Sequence, residues 1–192
     1  MIELNGIKCF SLNELFKIKT EEEILKHTEG FVCTKNAEVE RFLKHNAIEF
    51  NRKHQAMTYL LFDDNKELLG YFSLSVKPIS IHSDILSNNE FKKILRITEV
   101  DPEDMSLNPA AYLVAQLAKK DESEIDIDVI FKFINYYINE VQEICGGVIE
   151  FLESENKEKL INLYRNIGFK IFNIRKSKSG EDRKLIQMYR LI

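Results

Sequence analysis

The chain has 192 residues, 44% of them hydrophobic and 30% charged, with a net charge of −4. That length suits one domain, which would bury roughly 70% of its unfolded surface and so needs no external support. An acidic balance disfavours a broad nucleic-acid surface but permits a local basic patch, and no run approaches the ~18 apolar residues that a membrane span requires.

In chain order, residues 14–18 suggest a short helix. Thr20 and Glu23 stand at capping-box spacing ahead of a second helix that Gly30 stops. Residues 31–35 read as a brief strand. Asn36 can cap a long helix ending near residues 53–55, whose apolar face is Val39, Phe42, Leu43, Ala47 and Phe50. Residues 57–62 and 67–76 are strands about an Asp63-Asp64-Asn65 turn, closed by Pro78, with Tyr71 and Phe72 on alternate faces. Residues 82–109 look like an insertion, with a helix over 89–95. The mostly apolar run AYLVAQLA, residues 111–118, suggests a central strand covered on both faces. A stripe from Val129 to Ile144 marks a long helix that Gly146-Gly147 ends. A buried strand over 148–152 follows, then a helix over 156–167 with Gly168 as its stop, and strands over 170–174 and 185–191. The alternation in the middle implies a partly parallel, mixed sheet.

Cys9, Cys33 and Cys145 are scattered, with no CxxC pair, and the opening MIELNGIKCF has no basic stretch followed by an apolar run. Reduced thiols in a cytoplasmic protein are therefore expected. Cys33 reads as a small buried residue, since no histidine accompanies it. His27, His45, His54 and His82 do not fall at metal-ligand spacing, so no metal is expected.

The stretch from 146 to 169, GGVIEFLESENKEKLINLYRNIGF, carries the chemistry: strand, turn, helix, Gly-Phe stop, with a tyrosine late in the helix. With the preceding elements it resembles the C-terminal half of the GNAT superfamily of acetyl-CoA-dependent N-acyltransferases. Over residues 30–192 the element order fits that fold, an α/β (α+β) domain with a mixed, partly parallel twisted sheet and helices on both faces. Phe31-Val32-Cys33, the 36–54 helix, Gly70-Tyr71-Phe72-Ser73-Leu74 and Gln116-Leu117-Ala118 look like the branch of bacterial toxins that acetylate aminoacyl-tRNA. The resemblance implies a single domain over 1–192, with 1–30 a helical lead-in and 82–109 inserted between strands. It implies acetyl-CoA as co-substrate and an amine as acceptor, with parallel strands 111–118 and 148–152 splayed to admit the pantetheine arm. Backbone groups of Leu117, Ala118 and Lys119 would pair with that arm, one amide polarising the thioester carbonyl. Ile127 and Asp128, opening the next helix, would stand at the pyrophosphate, Asn156 would touch the pantetheine, and Tyr164 would protonate the leaving thiolate. A homodimer is compatible, because the superfamily often dimerises through its C-terminal strands.

The chain departs from that pattern after residue 118. A glycine-rich turn should let backbone N–H groups close on the pyrophosphate at a helix N-terminus. Residues 120–128, KDESEIDID, hold five acids and no glycine. Two like charges at ~4 Å repel by roughly 4 kcal/mol at an effective dielectric of ~20, and Lys119 and Lys120 offset part of this.

Each site residue has a plainer reading. Leu160, Leu163, Tyr164 and Ile167 share a helix face, so Tyr164 can be a core tyrosine as well as an acid. Proton transfer from a tyrosine to a thiolate is uphill by roughly 1.5 pH units, about 2 kcal/mol. Glu153 or Glu150 could be the base, directly or through water, or a solvated strand carboxylate. Asn156 could cap the helix. Arg175, Lys176, Lys178, Arg183 and Lys184 make either a solvated basic turn or a patch for RNA or the CoA phosphates. Three functions stay open: an N-acetyltransferase of small or protein amines, a toxin-type acetyltransferase of aminoacyl-tRNA, and a non-catalytic domain without CoA affinity.

Overall fold

The computed structural model describes residues 1–176 and 184–192. In strand order the sheet reads β1-β2-β3-β4-β7-β8-β10-β9. The chain divides into two compact units, one of residues 1–75 and 115–139, the other of 76–114 and 140–192.

The first unit opens with a hairpin, β1 (Ile2–Leu4) and β2 (Ile7–Ser11), where a helical lead-in was expected. Asn5 and Gly6 make the tight turn with φ of 54° and 73°. Ser11 and Glu14 form a capping box for α1 (Leu12–Leu15), and Thr20 and Glu23 form the expected one for α2 (Glu21–Glu29). Residues 31–35 are not a strand. The Cys33 amide donates to Glu40 Oε2 at 2.9 Å and the Thr34 amide to Asp121 Oδ2 at 2.9 Å, so side-chain carboxylates take the place of a ladder. The expected long helix is α3 (Ala37–Arg41), a π-turn (Phe42–Asn46) and α4 (Ala47–Arg52).

β3 (Met57–Phe62) and β4 (Leu68–Pro78) form the anticipated hairpin, with Leu60 opposite Tyr71 and Tyr59 opposite Phe72. The alternation separates two packing layers. Leu60 and Tyr71 face Leu12, Ile24 and Leu43 from the helical segments and Phe31 from the stretch after α2. Tyr59 stacks on Phe72 at 4.8 Å and meets Tyr137 of α6 (Ile127–Cys145) at 4.2 Å on the other face. Beside β4 runs β7 (Ala110–Lys119). A Cβ on Gly70 would lie 2.9 Å from the Ala118 carbonyl oxygen and 3.3 Å from Lys119 Cα, so glycine lets β4 close on β7.

The second unit contains the first half of β7, then β8 (Ile149–Glu155), β10 (Lys184–Leu191) and β9 (Lys170–Lys176). β7 and β8 are the parallel pair, Tyr112–Val114 against Glu150–Leu152, while β10 runs antiparallel to β8 and β9. Residues 82–109 hold α5 (Asn88–Ile94) and most of a small pairing of β5 (Ile81–His82) with β6 (Ser106–Leu107). Ile81, Ile94 and Leu107 pack with Phe151, Phe172 and Tyr189 on one face of this sheet.

Glu90 pins this segment to the sheet. Its Oε2 caps α5 through the Ser87 amide at 2.9 Å, and its Oε1 accepts from Lys170 Nζ at 2.8 Å and Tyr189 OH at 3.2 Å. Burial pushes this carboxyl up, but the bonds from Lys170 and Ser87 outweigh it and hold it down at about 2. A depressed carboxyl stabilises the fold above its unfolded pKa and loses that contribution as pH falls toward the folded one. Chemical denaturation should therefore show stability falling between about pH 4.5 and 2. Glu90→Gln should flatten that fall and lower stability at pH 7 by about 1–3 kcal/mol. An unchanged acid limb would remove Glu90 from this role.

Candidate active site

The candidate site is built around the end of α7 (Glu158–Asn166). Gly168, at φ 102°, follows the last helical turn in a conformation that disfavours any other residue. Its amide donates to the Arg165 carbonyl at 2.9 Å, and the Phe169 amide donates to the Tyr164 carbonyl at 3.0 Å. This is a Schellman closure, and its usual apolar contact is also present, with the Tyr164 and Phe169 rings edge to face at 6.2 Å. The Gly-Phe stop thus fixes both backbone and ring of Tyr164. That side chain is half-buried. Burial, with the nearby Glu155 charge adding to it, pushes the phenol up to about 12. The hydroxyl therefore keeps its proton throughout the physiological range, as an acid must.

The other end of α7 differs from expectation. The helix starts at Glu158 behind Lys157, which makes no side-chain cap, and Asn156 lies exposed in the turn before it. Asn156 is not the cap.

Glu153 is half-buried on β8. Arg175 Nε donates to its Oε1 at 2.5 Å and Gln187 Nε2 to the same oxygen at 2.8 Å, while Arg175 Nη2 takes Oε2. Both oxygens are occupied. Glu150, the other carboxylate on this strand, has no exposed surface and pairs with Arg190, so it has no open route to solvent. Of the basic cluster, Lys178 and Arg183 lie outside the described residues.

In the first unit, Leu117, Ala118 and Lys119 end β7, and Ile127 and Asp128 open α6 as expected. Between them the loop is anchored by its own groups. Lys120 N donates to the Leu69 carbonyl at 2.8 Å, Asp121 N to the Val32 carbonyl at 2.9 Å, and Lys119 Nζ to the Ile125 carbonyl at 3.2 Å. Ser123 and Ile125 are buried, while all five acids are exposed. Asp121 turns back to the Thr34 amide. Asp126 instead stands at the head of α6, where its Oδ1 accepts the Asp128 amide at 3.4 Å. The chain thus places its own carboxylate at the positive end of the helix. Next to this loop a cleft of about 190 Å³ is lined by Lys26, His27, Lys66, Glu67 and Lys120. Acids answer two of its lysines, with Glu22 at 3.3 Å from Lys26, and Glu67 and Glu122 at 3.5 and 4.0 Å from Lys120.

No protein-family model matches the chain, and no curated protein matches it. Solved structures do. AtaT complexed with acetyl-methionyl-tRNAfMet superposes with a TM-score of 0.62 at 16% identity, over 94% of this chain and 93% of that one. The chain has the GNAT fold. A Tyr-to-Phe mutant of KacT gives 0.64 at 17% identity, over 97% and 95% of the two chains. AtaTR bound with AcCoA gives 0.57 at 13% identity, over 98% and 94%. Within this GNAT fold the early strands and the displaced start of α7 went unanticipated. The Ser11–Glu14 capping-box spacing was the available sign of α1.

Among the described residues, no atom beyond its two chain neighbours lies within 4 Å of where a Gly168 side chain would project, so Gly168→Ala tests the backbone alone. Urea unfolding should show a loss of about 1–2 kcal/mol from strain at positive φ. An unchanged midpoint would mean that the closure relaxes without cost.

Proposed function

We propose that this protein is an N-acetyltransferase that moves the acetyl group of acetyl-CoA to a primary amine by direct attack. The observation that carries the reading is Tyr164, a protonated, half-buried phenol held by the Schellman closure of α7 in a chain with the GNAT fold. In this reading the amine nitrogen attacks the thioester carbonyl, and no covalent enzyme intermediate forms. The thioester sulfur leaves as a thiolate and takes the Tyr164 proton. Backbone groups of Leu117, Ala118 and Lys119 at the end of β7 bind the pantetheine arm as an added strand would, and polarise the carbonyl. Ile127 and Asp128, at the start of α6, meet the pyrophosphate, and Asn156, exposed before α7, meets the pantetheine. Glu153 accepts the ammonium proton through water, after Arg175 has swung off its carboxylate.

One observation favours a narrower acceptor. AtaT, whose fold this chain shares, has been solved with acetyl-methionyl-tRNAfMet. The second reading is that the amine is the α-amine of an aminoacyl-tRNA.

Calorimetry with acetyl-CoA should give micromolar binding, and no heat at millimolar ligand would sink the enzyme reading. Tyr164→Phe should lower kcat by about 10²–10⁴-fold, the usual worth of a general acid. With its phenol held near 12, the wild type should show no acid-loss limb in kcat below pH 10. Full activity in Tyr164→Phe would exclude the acid role.

Asp126 competes with the pyrophosphate in this scheme. Asp126→Ala should tighten acetyl-CoA binding several-fold while reducing stability by about 1 kcal/mol through loss of an N-terminal acceptor. Weaker binding in that variant would show that the acid is not a competitor.

A further inference from the structure

We infer that Arg190, anchored by the buried Glu150, is the positioning residue for Tyr164; this rests on the acid role proposed above. Glu150 has no exposed surface, and one of its oxygens, Oε1, has no hydrogen-bond partner among the described residues. The other accepts Arg190 Nε at 2.6 Å across the β8–β10 register, where the two residues face each other. A buried carboxylate in this condition weakens the fold relative to an apolar pair of the same volume. Its effect must be sought in what the guanidinium does with its remaining edge.

That edge points at the end of α7. Arg190 Nη1 donates to the Ile167 carbonyl at 3.2 Å, and the guanidinium carbon lies 4.8 Å from the Phe169 ring centre. Ile167 and Phe169 flank Gly168. Both hold Tyr164: their amides donate to its carbonyl at 3.2 and 3.0 Å, and the Phe169 ring meets its ring. One rigid fork therefore touches both residues that fix the phenol, and places a positive charge at the negative end of the helix. Lysine at this position could keep the charge but could not present two nitrogens in fixed directions while stacking.

The test is acetyl transfer from acetyl-CoA to methionyl-tRNA and to a panel of primary amines, using the full chain. Arg190→Lys should lower kcat at least tenfold and leave KM for acetyl-CoA within twofold. In a Tyr164→Phe background it should have no further effect, because positioning an absent acid changes nothing. The double variant Glu150→Leu with Arg190→Met, which replaces the pair by apolar volume, should fold with wild-type near-ultraviolet circular dichroism and show the same drop in kcat. An equal loss from Arg190→Lys in both backgrounds, or wild-type kcat in the double variant, would overturn the inference. Tyr164→Phe with full activity would remove the acid role and the inference with it, whereas a crippled Tyr164→Phe beside a fully active Arg190→Lys would remove the inference alone. With tyrosine labelled at 13Cζ, the Tyr164 signal should move in Arg190→Lys. A signal that stays in place overturns the inference whatever the kinetics.

Discussion

A charge with no access to water organises the C-terminal unit. Removing a carboxylate from solvent costs several kcal/mol, and removing its cation partner would leave that penalty uncompensated. Glu150 and Arg190 must therefore face each other, and this single requirement fixes two things. It sets the β8–β10 register, since a one-residue slip of β10 would turn Arg190 to the opposite face and leave Glu150 without its cation. That opposite face is the apolar layer of Phe151, Phe172 and Tyr189. It also ties the turn after α7 to the sheet through Ile167 and Phe169.

The N-terminal unit is organised by a different economy of charge. Its sheet carries apolar side chains on both faces, Leu60 and Tyr71 on one and Tyr59 and Phe72 on the other. The connections around it rely on carboxylates to satisfy backbone amides. Glu40 receives Cys33, Asp121 receives Thr34, and Asp126 receives Asp128. Asp121 and Asp126, two of the five acids that look hostile to an anionic cofactor, thus have structural duties, and Asp121 turns away from the head of α6. The one that stays, Asp126, does at a helix N-terminus what a bound phosphate would do.

Much of this was legible in the chain. Asp63-Asp64-Asn65 between two runs of strand formers identified the β3–β4 hairpin, because turn chemistry and β-propensity agree there. The stripe from Val129 to Ile144 identified α6, and Gly168 identified the end of α7, because only glycine takes that backbone conformation readily. The order of elements pointed to the GNAT fold that the solved structures share. What failed had a common cause. Residues 31–35 have strand composition but find their hydrogen bonds in Glu40 and Asp121, the latter 87 positions from Thr34. The first hairpin is formed by strands of three and five residues, too short for a pattern to register. Asn156 has a capping side chain, yet β8 continues to Glu155, three residues past the expected strand, and carries the helix start onward to Glu158.

By itself the sequence determined the elements with strong periodicity, the stop that holds Tyr164, and the acidic character of the loop before α6, since these depend on residues within a turn or two of one another. Only the tertiary structure decided which acids are spoken for, that Glu153 is gripped by Arg175 and Gln187, and that Glu150 and Arg190 meet in the interior. Those outcomes turn on which strands lie side by side and on what solvent can reach. No local pattern encodes either, because each depends on residues tens of positions away arriving at the same place.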